Sequence, residues 1–243
     1  MTTNLIIDIG NSTTKYAVMT ERDLIRVEKS DLPSLAVVEN LLREYPATKA
    51  SIIAASGRET SEICDFLSAR LKRAIKFDST TPTPLRNMYK SPETLGLDRL
   101  AGAIGANLFF PGENLLLFSF GTALTIDFVA DNRYLGGNIS PGLQLRFRAL
   151  HEFTAKLPLC APPLTCTPAR GGTTSEAIES GVLIGMISEV RYYIDNYKGY
   201  KAIFSGGDAS YFAGKIKVPI FVFSNSVLYG LNEVLKYNIF NNM

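Results

Sequence analysis

Tryptophan is absent, histidine occurs once and cysteine three times in 243 residues. With a single imidazole, any Ser-His-Asp relay or histidine-rich metal centre would have to rest on His151. That residue lies in the helix-like stretch Leu145 to Lys156 and reads as a partly exposed helix residue. Cys64, Cys160 and Cys166 form an odd set with no CxxC pair, which argues against a disulfide framework or a zinc site and for a reducing, cytoplasmic setting. No run of about 18 apolar residues occurs, and no basic segment precedes an apolar stretch at the N-terminus. A membrane span and a cleaved export signal are therefore not expected. Excess charge is lacking too: Lys and Arg total 25 against 23 Asp and Glu, a net +2. A dedicated nucleic-acid binder would show a clearly basic domain or stripe. With 46% hydrophobic and 20% charged residues the chain is ordinary globular material. Its chemistry must come from carboxylates, hydroxyls, amides and basic side chains.

What is present follows a plan. Leu5–Ile9 is an apolar strand broken by Asp8, Gly10-Asn11-Ser12 is a turn, and Lys15–Met19 is a second strand. Leu24–Val27 supplies a third. A helix runs from Pro33-Ser34 to Glu44 with Leu35, Val38, Leu41 and Leu42 in a stripe. A strand at Ser51–Ala55 and a helix at Thr60–Leu71 follow, then a Thr- and Pro-rich loop from Lys76 to Pro92. Leu97, Ala101, Ile104 and Leu108 share a face of a helix that Pro111-Gly112 stops. The pattern then restarts: strands at Leu115–Phe118, Leu124–Val129 and Arg133–Leu135, helices over Leu143–Ala155 and Ser175–Asn196, strands at Lys201–Phe204 and Ile220–Val222, and a last helix at Val227–Tyr237. The expected fold is α/β: two tandem domains, residues 1–112 and 113–243, each a mixed sheet flanked by helices. A cleft between such halves commonly holds a small molecule.

The two glycine turns carry the chemistry. In Asp8-Ile9-Gly10-Asn11-Ser12-Thr13-Thr14-Lys15, glycine permits close backbone approach, amides and hydroxyls offer donors, and Lys15 adds a point charge for phosphate. This is no Walker A loop, because the terminal Gly-Lys-Ser/Thr is missing and a strand follows. An ordinary polar hairpin would leave unexplained why Asp8 sits inside an apolar strand, whereas a phosphate-bound Mg²⁺ would explain it. Ser119-Phe120-Gly121-Thr122 repeats the device, and Thr122 can meet the far side of a polyphosphate. Two such turns heading equivalent domains are the plan of the actin, hexokinase and Hsp70 superfamily. Asp98, in Gly96-Leu97-Asp98-Arg99, is either a helix cap or the carboxylate that takes a proton from an acceptor hydroxyl. Arg99 is either a clamp for a substrate carboxylate or a surface charge. Thr173-Thr174-Ser175-Glu176 has capping-box spacing, and a hydroxyl or amide there can still bind a polar ligand.

Together these residues resemble the type III pantothenate kinase family. The resemblance runs over nearly the whole chain: Asp8–Lys15, Tyr89, Gly96–Arg99, Gly121-Thr122 with Asp127, Gly136–Gly142, Thr154–Pro158, Thr174 and Ser205-Gly206-Gly207. It implies a homodimer with two ribonuclease-H-like halves per subunit, transferring the γ-phosphate of ATP to the primary hydroxyl of pantothenate at the start of coenzyme A synthesis. By that match Asp8, Ile9, Gly10, Asn11, Ser12, Thr13, Thr14 and Lys15 hold the ATP phosphates, Asp8 with Mg²⁺, and Thr122 adds a contact. Asp98 is the proton acceptor. Tyr89, Gly96, Leu97, Asp98, Arg99 and Thr174 surround pantothenate near the dimer interface, and the dimer rationalises the hydrophobic helix after Thr174.

One position departs from the family pattern. The second turn of the family usually begins with an aspartate associated with an activating monovalent cation, K⁺ or NH₄⁺; here the residue is Ser119. A hydroxyl supplies no charge, so the cation is dispensable, another carboxylate replaces that aspartate, or activity is low. Two other functions compete: a sugar or acetate kinase of the same superfamily, and a non-catalytic family member acting as a regulatory accessory factor. The retained Asp98 argues against the second.

Overall fold

In a computed structural model, residues 2–163 and 169–240 are described; Cys166 falls outside them. The apolar run ahead of Gly10 becomes β1 (Thr3–Ile9), the middle strand of a five-stranded sheet. Both its faces are covered, which is why its apolar residues run on almost without alternation. β1 pairs antiparallel with β2 (Thr14–Met19), which pairs antiparallel with β3 (Leu24–Ser30). On its other edge β1 pairs in parallel with β4 (Thr48–Ala55), and β4 with β5 (Arg73–Lys76). The order is β3-β2-β1-β4-β5. Helices α1 (Leu35–Glu44) and α2 (Ser61–Arg70) bury Val38, Leu41, Ile63 and Leu67 with Leu5, Ile7, Ile9, Tyr16 and Val18 of the sheet.

The chain then adds β6 (Arg86–Asn87), α3 (Leu97–Phe109), β7 (Leu115–Phe120), β8 (Ala123–Ala130) and β9 (Arg133–Pro141). Asp131 and Asn132, both left-handed at φ 50° and 55°, make the tight β8–β9 turn. After α4 (Leu143–Glu152) and α5 (Thr174–Asn196) come β10 (Lys201–Gly206), α6 (Ala209–Ala213), β11 (Phe221–Val222) and α7 (Ser226–Phe240). The second sheet has the order β11-β10-β7-β8-β9-β6. Without β6 it repeats the first sheet's plan: two sequential neighbours on one side of the leading strand, then two strands reached by helical crossovers. The stripe Ile178, Val182, Met186 and Val190 of α5 is buried against Phe118, Phe120 and Phe204. This stripe is thus taken up by the core of its own unit.

Two compact units result, Met1–Gly112 with Val129–Gly136 and Asn225–Met243, and Glu113–Phe128 with Gly137–Ser224. The terminal helix α7 belongs to the first unit. It crosses α3 so closely that a Cβ on Gly105 would lie 2.0 Å from the Ser226 carbonyl oxygen, and one on Gly230 1.8 Å from that of Ala101. Asn232 continues the contact, donating to the Thr20 carbonyl at 3.0 Å and accepting from Asn4 at 2.8 Å. This crossing also changes which face of α3 is inside. Leu100 to Ala106 are buried, while Leu108 of the expected stripe is 42% exposed.

Candidate functional site

In the first unit the turn after β1 is held by its strand register. Asp8 stands opposite Lys15 and Ile9 opposite Thr14, and the Gly10 amide closes the turn on the Thr13 carbonyl at 3.1 Å. Asn11 and Ser12 are exposed, Gly10, Thr13 and Lys15 half-buried. The Thr14 hydroxyl is buried and makes no hydrogen bond among the described residues. Asp8 keeps part of its surface open, yet burial pushes its carboxyl from 3.8 to about 6. Lys15 pulls the other way, and the negative charge of Asp98 raises it further. The two carboxylates therefore feel one another across elements 90 residues apart in the chain.

Asp98 is not the cap of α3. The cap position is Gly96, with no side-chain bond, so Leu97 and Asp98 lie in the first turn, where the helix dipole favours a carboxylate. Asp98 is exposed, and its Oδ1 occupies the space beside Gly96: a Cβ there would be 2.8 Å away. Gly96 thus leaves room for the carboxylate to fold back on the helix start. Arg99 is buried at 5% exposure, which removes the surface-charge reading. Its guanidinium lies 5.8 Å from the Tyr89 ring centroid. Tyr89 in turn packs against Gly136, where φ is +99° and a Cβ would meet its ring at 3.0 Å. The first unit therefore brings Asp8, Lys15 and Asp98 together, and Arg99 with Tyr89.

The second unit holds the other three positions. Ser119, half-buried near the end of β7, is in register with Ser205 of β10. Gly121 and Thr122 form an exposed two-residue turn, closed by Gly121 N–H to the Ala123 carbonyl at 3.1 Å. The Gly142 amide donates to the Thr122 carbonyl at 3.0 Å, and a Cβ at 142 would lie 2.1 Å from the Gly121 carbonyl oxygen. Asp127 is fully buried and accepts from the Thr125 hydroxyl at 3.1 Å. Thr174, exposed, opens α5 behind a complete capping box of Thr173 and Glu176. That box confirms the helix start. His151 lies exposed in the last turn of α4, with Nδ1 2.8 Å from the Leu157 carbonyl oxygen.

The chain matches the family model described as type III pantothenate kinase over residues 4–196. It belongs to that family. A type III pantothenate kinase from Phocaeicola vulgatus is 41% identical over 240 residues, covering 97% of this chain and 98% of that protein. One from Porphyromonas gingivalis is 39% identical over 248 residues, covering 98% and 100%. Among solved structures, a Baf-family protein from Campylobacter jejuni aligns with a TM-score of 0.66 at 18% identity, over 98% of this chain and 100% of that one. An inorganic polyphosphate/ATP-glucomannokinase from Arthrobacter aligns at 0.53 and 13%, over 99% and 100%. At such identities the structural likeness shows the fold alone, α/β with two mixed sheets flanked by helices.

Measured against the family, two features of the site gain weight. Among the described residues no group of three or more His, Cys, Asp or Glu side chains is arranged to hold a metal. A divalent ion here would need oxygen ligands from phosphates and water besides protein carboxylate, as Mg²⁺ commonly does. The raised, mutually repelling Asp8 suits such an ion, since a cation relieves both its desolvation and its repulsion by Asp98. Sequence reasoning missed one residue beside the first turn, Arg58, whose hydrogen-bond acceptors are main-chain carbonyls and leave no motif.

Proposed function

We propose that the protein phosphorylates pantothenate at its primary hydroxyl with ATP, giving 4'-phosphopantothenate and ADP, the first committed chemistry of coenzyme A synthesis. The observation that carries this reading is the exposed Asp98, in the first turn of α3, electrostatically coupled to Asp8 of the glycine turn within one unit. The turn from Asp8 to Lys15 binds the ATP phosphates through main-chain amides, hydroxyls and the Lys15 ammonium, with Thr122 as a further contact. Asp8 holds Mg²⁺, which supplies charge neutralisation on the phosphates when bound. Tyr89, Gly96, Leu97, Arg99 and Thr174 surround pantothenate, with buried Arg99 suited to its carboxylate. The hydroxyl oxygen attacks the γ-phosphorus, its proton passes to Asp98, and the bond to the bridging oxygen of ADP breaks. The working form is a cytoplasmic homodimer. Ser119 supplies no charge for a monovalent cation, so either the cation is dispensable or another carboxylate holds it.

The test is transfer from ATP to pantothenate with Mg²⁺ in potassium, ammonium or sodium salt. Transfer in all three salts would make the cation dispensable, and transfer only with potassium or ammonium would mean that another group holds it; no transfer in any salt, from a folded protein that binds ATP, would overturn the kinase reading. In Asp98→Asn turnover should drop about 10²–10⁴-fold while ATP affinity stays near that of the unaltered protein. A wild-type rate in that variant would remove Asp98 from the mechanism.

A further inference from the structure

β4 runs parallel to β1 and keeps one hydrogen bond beyond its last residue, Ser56 N–H to the Ile9 carbonyl at 2.9 Å. The chain then turns at Gly57, whose φ of +74° is a left-handed conformation that glycine adopts without strain. The next residue is Arg58, half-buried. Its Nη1 donates to the Asp31 carbonyl at 2.7 Å, and its Nη2 donates to the Asn11 carbonyl. One guanidinium thus ties three segments together: the loop after β4, the β3–α1 link and the glycine turn itself. The Gly10–Thr13 main-chain bond closes the turn, and Arg58 anchors its tip from outside.

The anchor has a directional consequence. In a planar trans peptide the C=O and the following N–H point in opposite directions. With the Asn11 oxygen drawn to Arg58, the Ser12 N–H is turned away from it. If this peptide flipped, a carbonyl oxygen would point where the N–H now points, and a carbonyl repels an anion that an amide would bind. We infer that Arg58 is a positioning residue for nucleotide: it selects the orientation of the Asn11–Ser12 peptide and thereby sets the affinity of the turn for the ATP phosphates. This rests on reading that turn as the phosphate site, and it concerns the nucleotide half of the reaction only. Lysine cannot replace arginine fully, because a point charge lacks the fork that spans two carbonyls.

The experiment compares Arg58→Met, which keeps the apolar stem, with Arg58→Lys. ATP affinity is read by calorimetry, and KM for each substrate and kcat by the transfer assay. In Arg58→Met, Kd and KM for ATP should rise about tenfold, the loss of roughly one charge-assisted hydrogen bond. KM for pantothenate should stay within twofold and kcat within about threefold. Arg58→Lys, the milder change and the one less exposed to misfolding, should recover part of the ATP affinity. Wild-type ATP affinity in Arg58→Met would overturn the inference, as would equal losses toward both substrates, the mark of a merely structural role. If the unaltered protein bound no ATP, the phosphate reading of the turn would itself be wrong, and that control is measured first.

Discussion

Asp8 lies in β1 between Ile7 and Ile9, both fully buried, and its carboxyl is pushed up from 3.8 to about 6. Between those two values the native protein holds a proton that the unfolded chain has released. Stability therefore falls as pH rises through this window, and the whole cost is present above about pH 6. The displacement from 3.8 to about 6 corresponds to about 3 kcal/mol at most, and less because the group is partly exposed. Asp8→Asn should accordingly raise the melting temperature of the ligand-free protein at pH 7.5. The gain should vanish near pH 4, where the aspartate is protonated in the native state. The same variant should lose phosphoryl transfer. Melting curves at the two pH values decide the matter, and an Asn variant less stable at pH 7.5 would mean that Lys15 fully compensates the buried charge. A residue that costs stability where it stands is better explained by a ligand than by the fold.

At the scale of elements, what could be read from the sequence divides by where the information lies. The strands around Gly10 and Gly121 were legible because continuous apolar runs bounded by turn residues are local signals. β5, β6 and α6, of 4, 2 and 5 residues, are too short to show a period, and β6 is the strand hidden in the stretch from Lys76 to Pro92 that reads as loop. β9 extends to Pro141 through two glycines that mimic a turn, but Gly137 is there because a Cβ would fall 1.9 Å from the Ile126 carbonyl oxygen. In the site, Asp98 and the glycine turn were legible as motifs. The burial of Arg99 and the bonds of Arg58 were not, since both depend on neighbours distant in sequence. The α3–α7 crossing is the clearest tertiary term. Gly230→Ala would drive a methyl into the α3 backbone, a clash no side-chain rotation relieves. We expect a loss of about 3 kcal/mol or more in urea unfolding. A change under about 1 kcal/mol would mean the helices separate easily and that glycine is not required there.

For the whole molecule, the proposed dimer needs a surface that the core of each subunit does not consume. The stripe Ile178, Val182, Met186 and Val190 does not qualify, because it is buried within its own unit. Another part of α5 does: Ile184 and Tyr192, two turns apart, are 45% and 61% exposed. Large apolar side chains repeated on one exposed helix face favour a partner over water, and a second copy of the same helix can satisfy both by symmetry. Light scattering at micromolar concentration should give twice the 26.6 kDa of the chain. The double variant Ile184→Glu with Tyr192→Glu should fall to the monomer mass, because charges on an isologous face meet their own copies. Its far-ultraviolet circular dichroism should stay unchanged, since neither side chain lies in the core. A dimer that survives both charges would locate the interface elsewhere, and a monomeric unaltered protein would remove the dimer altogether. If the monomeric variant also lost affinity for pantothenate but not for ATP, the acceptor site would depend on assembly while the glycine turn did not.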